Sequence, residues 1–168
     1  MKEHNASLDD VREAATLRAV LAAEEEDVDL SELRISSIDD QALRAFEAWG
    51  STNYFEWDMV PRWKQGSHQA LDLALWFGAE LCGLCYAEPS GRSMVVRVIL
   101  LEGKPDPTHP LKQRVLAISL VALYIYCSTF GMTEIEIECP DAGAVPLYKE
   151  FGFGYDAERR LVKSIAED

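Results

Sequence analysis

Residues 115–127 form the longest apolar run in the chain, broken only by Ser119. The run is shorter than the ~20 residues that span a bilayer. It reads as the core of a buried helix over residues 110–130, with Gly131 as the C-terminal stop. Alternating segments flank this helix. Residues 94–101 precede it, and residues 133–139 follow it with Glu134, Glu136 and Glu138 set against Ile135 and Ile137. A strand, a long helix and a second strand make a crossover, which lays the second strand parallel to the first.

The rest of the chain fits around that crossover. Residues 71–77, 80–87 and 94–101 are strand-like and are separated by Gly78 with Ala79 and by residues 89–91, which predicts an antiparallel meander. Upstream, residues 32–38 alternate as a strand, and Asp39 and Asp40 cap a helix through Ala42, Leu43, Phe46 and Trp49. Downstream come a short helix at 142–151 and short strands at 153–156 and 161–165. The expectation is an α/β fold: a mixed sheet of six or seven strands, with the meander, one parallel pair between the fourth and fifth strands, and flanking helices. Residues 1–30 read as an N-terminal helical extension to a domain of residues 31–168. Ser7 caps this helix, Asp9 and Asp10 fill its first turn, and Leu8, Val11, Ala15, Leu17, Val20 and Leu21 supply a loose apolar stripe.

Charge narrows the function classes. The net charge is −13, and phosphate binding needs a basic face, so neither nucleic acid nor an anionic membrane is an expected partner. The acidity is concentrated: residues 1–40 hold 12 acidic and 4 basic side chains, and the remainder hold 17 and 12. The acidic helix is therefore available for a homodimer or a protein partner. Four cysteines are too few for a disulfide scaffold, and no apolar leader is visible, so reduced thiols in the cytoplasm are expected. Cys82 and Cys85 have CxxC spacing, but on a regular strand residues three apart face opposite ways. His4, His68 and His109 make no ligand spacing, so no metal is expected.

The most specific string is residues 141–153, where Ala144, Leu147, Tyr148, Gly152 and Phe153 recur at fixed spacing after Asp141. Here the chain resembles the GNAT superfamily of N-acyltransferases, which use acetyl-CoA or another acyl-CoA as co-substrate. The element order from about residue 32 to 165 is similar to that family as well. The family usually has Asn where this chain has Asp141. The resemblance implies that Tyr148 assists departure of the CoA thiolate, since an aligned phenol donates a proton as that charge appears. It implies an acceptor that is a small-molecule or protein amine. It also implies that the fourth strand near Leu100 and Leu101 orients the pantetheine arm. Glu102 and Glu138 are candidate bases acting through water. The aromatic stretch 53–63 matches the acceptor wall, where Glu56 and Asp58 are placed to hold a cation.

The pyrophosphate loop departs from the family. Members carry glycines that let backbone N–H groups approach the phosphates. Residues 107–114 contain none; His109, Lys112, Gln113 and Arg114 occupy the region, and their side chains are the candidate phosphate contacts. Two functions are therefore carried forward. One is an N-acyltransferase moving an acyl group from CoA to a primary amine in a ternary complex. The other is a catalytically inactive GNAT-like module acting through protein partners.

Overall fold

A computed structural model describes residues 7–50, 56–67 and 69–165. Helix α1 (Leu8–Glu25) opens the chain, followed by β1 (Leu33–Ser36), α2 (Asp40–Glu47), a 3-10 turn (Trp57–Met59) and α3 (Val60–Gln65). Strands β2 (Leu71–Phe77), β3 (Glu80–Pro89) and β4 (Val95–Gly103) precede α4 (Val115–Phe130). Strand β5 (Glu134–Ile137), helix α5 (Val145–Glu150), β6 (Gly154–Tyr155) and β7 (Leu161–Ser164) complete it. The seven strands form one sheet in the order β1-β2-β3-β4-β5-β7-β6. All neighbours are antiparallel except β4 and β5, which run parallel from Val95 beside Glu134 to Val98 beside Ile137. The expected mixed sheet with its meander and single parallel pair is the sheet observed.

Each face of the sheet carries its own core. On one side Leu71, Leu73, Leu75, Val96, Val98, Ile135 and Ile137 pack with α1, α4 and Tyr148 of α5. On the other, Ala74, Trp76, Leu84 and Tyr86 pack with Ala42 of α2, Trp57 and Val60.

Helix α4 starts later than its composition indicates, at Val115 rather than residue 110, because residues 107–114 form consecutive turns. Its end is as expected: Gly131 takes φ 74°, and its N–H donates to the Cys127 carbonyl. The first turn of α4 presses on the sheet at a pair of glycines. Gly83 and Gly103 lie opposite each other on β3 and β4. A Cβ on Gly83 would sit 2.7 and 2.9 Å from the two Val115 methyls.

Helix α1 begins with a capping box, in which Ser7 Oγ accepts from Asp10 N–H and Asp10 Oδ2 accepts from Ser7 N–H, each at 3.1 Å. Its buried stripe is Val11, Ala15, Ala19 and Ala23, while Leu17 and Leu21 are 60% and 51% exposed. Of the stripe expected from the sequence, Val11 and Ala15 are buried, while Ala19 and Ala23 take the places given to Leu17 and Leu21. The small ones are inside because an i, i+4 ladder of alanines admits a neighbouring helix closely. That neighbour is α4, and the two share one core. At its N-terminal end, Arg12 binds Asp72 at the start of β2, below the point where β1 stops covering that edge. Asp72 Oδ2 also accepts from Lys64 of α3 and from Ile38 N–H.

Cys82 and Cys85 lie in the same core, contrary to the alternation expected of a regular strand. The register shifts between Leu75 and Trp76, so Cys82 is an extra residue in β3 and parity is reset. Both are free thiols, pushed by burial up to about 11 and about 12 respectively. Among the described residues, no helix is long and apolar enough to cross a membrane, and no cluster of His, Cys, Asp or Glu has the makings of a metal site.

Candidate active site

The parallel strands separate at a defined point. Glu138 N–H donates to the Val98 carbonyl at 2.9 Å, closing the last link between them. Beyond it β4 continues to Gly103 along β3, whereas the chain after β5 bends away through Cys139, which takes φ 44°, and Pro140. A bulge helps open the gap. Tyr86 faces Leu100 and Ala87 faces Val98, so Ile99 is an extra residue in β4. Leu100 and Leu101 therefore have no β5 partner in the register.

A cavity of about 290 Å³ fills this split. Of the residues singled out in the sequence, Leu100, Leu101, Glu102, Glu138, Asp141 and Tyr148 all line it. Tyr148 comes from α5 and is 6% exposed. Its ring meets Phe153 edge-on, with centroids 5.8 Å apart. Burial pushes its phenol up to about 12, with Cys85 and Asp141 adding to the rise. The hydroxyl is therefore protonated at neutral pH. The Asp141 carbonyl accepts from Ala144 N–H at 2.8 Å, and its Oδ1 accepts from Gly143 N–H at 3.3 Å, so the residue shapes the turn into α5.

The two candidate bases differ in their partners. Glu102 is buried at the end of β4, and its Oε1 accepts from Trp57 Nε1–H at 2.8 Å. Trp57 was part of the aromatic stretch read from the sequence, but its bond to Glu102 joins residues 45 apart. Glu138 is partly exposed and faces Arg97 Nη1 at 3.2 Å. Arg97 also meets Glu136, and Arg92 pairs with both Glu134 and Glu136. The alternating glutamates of β5 thus line a ribbon of ion pairs. Glu56 and Asp58 are exposed. Asn53, Tyr54 and Phe55 of the aromatic stretch, together with His4 and His68, lie outside the described residues.

Residues 107–114 are not on the cavity wall. His109 is buried, its Nδ1 accepts from Leu111 N–H at 3.2 Å, and burial holds its pKa below the ordinary 6.5. Its imidazole supports the turn and is neutral. Arg114 occupies the N-cap of α4 and meets Glu26 at 3.7 Å, just past the end of α1. Lys104 meets Glu80 at 2.9 Å. Lys112 and Gln113 are exposed. Gln113 adopts φ 66°, a left-handed conformation that glycine takes without strain. The loop thus has a glycine-like backbone at one position without a glycine.

No protein-family model matches the sequence, and no curated protein sequence matches it significantly. Solved structures do match. Ard1 from Thermoplasma volcanium superposes with a TM-score of 0.61 at 12% identity, over 81% of this chain and 99% of that one. The ribosomal-protein-S18-alanine N-acetyltransferase from Escherichia coli gives 0.58 at 14% identity, over 81% and 96%. Arabidopsis thaliana Naa50, in complex with the bisubstrate analogue CoA-Ac-MVNAL, gives 0.55 at 13% identity, over 79% and 99%. The fold is that of the GNAT N-acetyltransferases.

Proposed function

We propose that this protein is an acyl-CoA-dependent N-acyltransferase that uses acetyl-CoA or a related thioester and acts on an amine in the cytoplasm. One observation carries the reading: β4 and β5 part above Val98, and a buried, protonated Tyr148 stands on the wall of the cavity between them. The unpaired β4 edge at Leu100 and Leu101 fits an amide-bearing pantetheine arm, which binds as an added strand would. Bound there, the thioester supplies the acyl group and a thiolate leaving group.

The acceptor nitrogen attacks the thioester carbon and a C–N bond forms. The C–S bond then breaks, and the sulfur takes the Tyr148 proton, which returns from solvent. Glu102 receives the surplus ammonium proton through water. Trp57 holds one of its oxygens and so fixes the carboxylate's orientation. Glu138 is less suited to this role, because its Oε1 is already engaged by Arg97 Nη1 at 3.2 Å. At the phosphate end, Lys112 and the Gln113 backbone are the groups left to meet an anion, since Arg114 already faces Glu26. Helix α1, with Leu17 and Leu21 exposed, offers a surface for a second copy or a protein partner.

A second reading, a binding module without turnover, is favoured by the same glycine-free loop. Release of free thiol from acetyl-CoA in the presence of amines separates the two. The acyltransferase reading expects turnover that falls about 10²–10⁴-fold in Tyr148→Phe with acetyl-CoA binding retained. Undiminished turnover in that variant removes Tyr148 from the mechanism. Binding without turnover for every amine favours the second reading.

A further inference from the structure

A second cavity of about 610 Å³ adjoins the first, sharing Ile99 and Glu138 with it. Trp63 of α3 forms its aromatic wall, backed by the fully buried ring of Tyr86 of β3 at a centroid distance of 5.5 Å. Tyr86 Oη donates to Glu88 Oε2 at 2.8 Å and so fixes that carboxylate beside the rings. Glu138 in the same cavity is already met by Arg97. No cation among the described residues pairs with Glu88. Arg62 and Arg97 also line this cavity: Arg62 is exposed, so solvent and salt screen it, and the Arg97 guanidinium is engaged by Glu136 and Glu138.

We propose that the acceptor is a diamine-like molecule whose second cationic centre sits at Glu88 against the Trp63 ring. This rests on the acyltransferase reading, because the reactive nitrogen is placed in the adjoining cavity. Aromatic faces attract cations, and a carboxylate fixed beside them adds charge where the group leaves bulk water. The spacing follows from the sheet. Glu88 lies opposite Arg97, and Leu100 stands three residues further along β4, a distance of about 10 Å or less at the rise of a bulged strand. That span suits two nitrogens separated by a short alkyl chain. A monoamine fills only the reactive end. An amino acid would instead bring its carboxylate toward Glu88 or Arg62.

The test compares cadaverine, pentylamine and γ-aminobutyrate on the full chain, by calorimetric binding and by thiol release from acetyl-CoA. Cadaverine is expected to bind about tenfold or more tighter than pentylamine, with KM for thiol release following the same order. Glu88→Gln, on a partly exposed side chain, is expected to abolish that preference by lowering cadaverine binding to the level of pentylamine. Equal binding of cadaverine and pentylamine overturns the proposal, as does an intact preference in Glu88→Gln. Preference for γ-aminobutyrate overturns it too and assigns the groove to Arg62. Diamine binding through Glu88 without thiol release counts against the acyltransferase reading and leaves the cation site standing. Thiol release without the preference does the reverse.

Discussion

Arg12 of α1 holds Asp72 of β2 at two points: its Nε donates to the Asp72 carbonyl at 3.0 Å, and its Nη2 reaches Oδ1 at 2.7 Å. Both side chains are buried. The main-chain contact supplies a partner to the β2 edge where β1 no longer reaches, and Lys64 and Ile38 converge on the other carboxylate oxygen. Removing one member of a buried pair strands the other, so Asp72→Ala is expected to cost about 3–5 kcal/mol. Urea unfolding measures this. A loss below about 1 kcal/mol, the range of exposed pairs, contradicts the clamp.

Val115 lies where a Cβ on Gly83 would stand, which fixes the height of α4 above the sheet. Gly83→Ala is expected to destabilise by about 1–3 kcal/mol through overpacking. Adding Val115→Ala removes the clash, so the double variant is expected to lose less than the two single losses together. Simple additivity would show that the two positions are not in contact.

His109 makes stability depend on pH in the acid range. Its folded pKa is depressed, chiefly by burial, so folding favours the neutral ring. That contribution is present above the unfolded value of 6.5 and is lost as pH falls through the folded value. Protonation at Nδ1 also ends the bond from Leu111 N–H. Taking the protein from about pH 7 to about pH 5 is expected to lower the urea midpoint more in the wild type than in His109→Gln. An equal fall in both places the sensitivity elsewhere.

Tyr148 gives the opposite sign. Its folded pKa is raised from 10.0 to about 12, so its contribution to stability is complete below the unfolded value and fades as pH rises from there toward the folded value. In ultraviolet titration of the native protein, burial of the phenol predicts that Tyr148→Phe keeps the phenolate signal near the unfolded value and differs from wild type only at the higher pH. An ionisation of Tyr148 at the ordinary tyrosine value contradicts its burial.

The sheet was legible because its cues are local. The long apolar helix between alternating strands dictates the parallel pair, and Gly131 marks where that helix ends. The cavity's membership was legible where residues follow one another, as in Leu100 to Glu102 and Asp141 to Tyr148. What escaped depends on the third dimension. The bulges at Cys82 and Ile99 leave no composition signal, yet one turns a thiol inward and the other opens the split. Arg12 and Asp72 are 60 positions apart, and an arginine on an acidic helix looks like surface charge until its partner is placed. Arg114 looked available to an anion, but Glu26 meets it.

Calorimetric titration of the full chain with acetyl-CoA tests the central claim most directly. Saturable binding to one site is predicted, weakened by Ala144→Trp, which projects a large ring from the cavity wall beside Tyr148. No heat of binding up to millimolar acetyl-CoA, or binding indifferent to Ala144→Trp, would contradict the assignment of the β4 and β5 split as an acyl-CoA site.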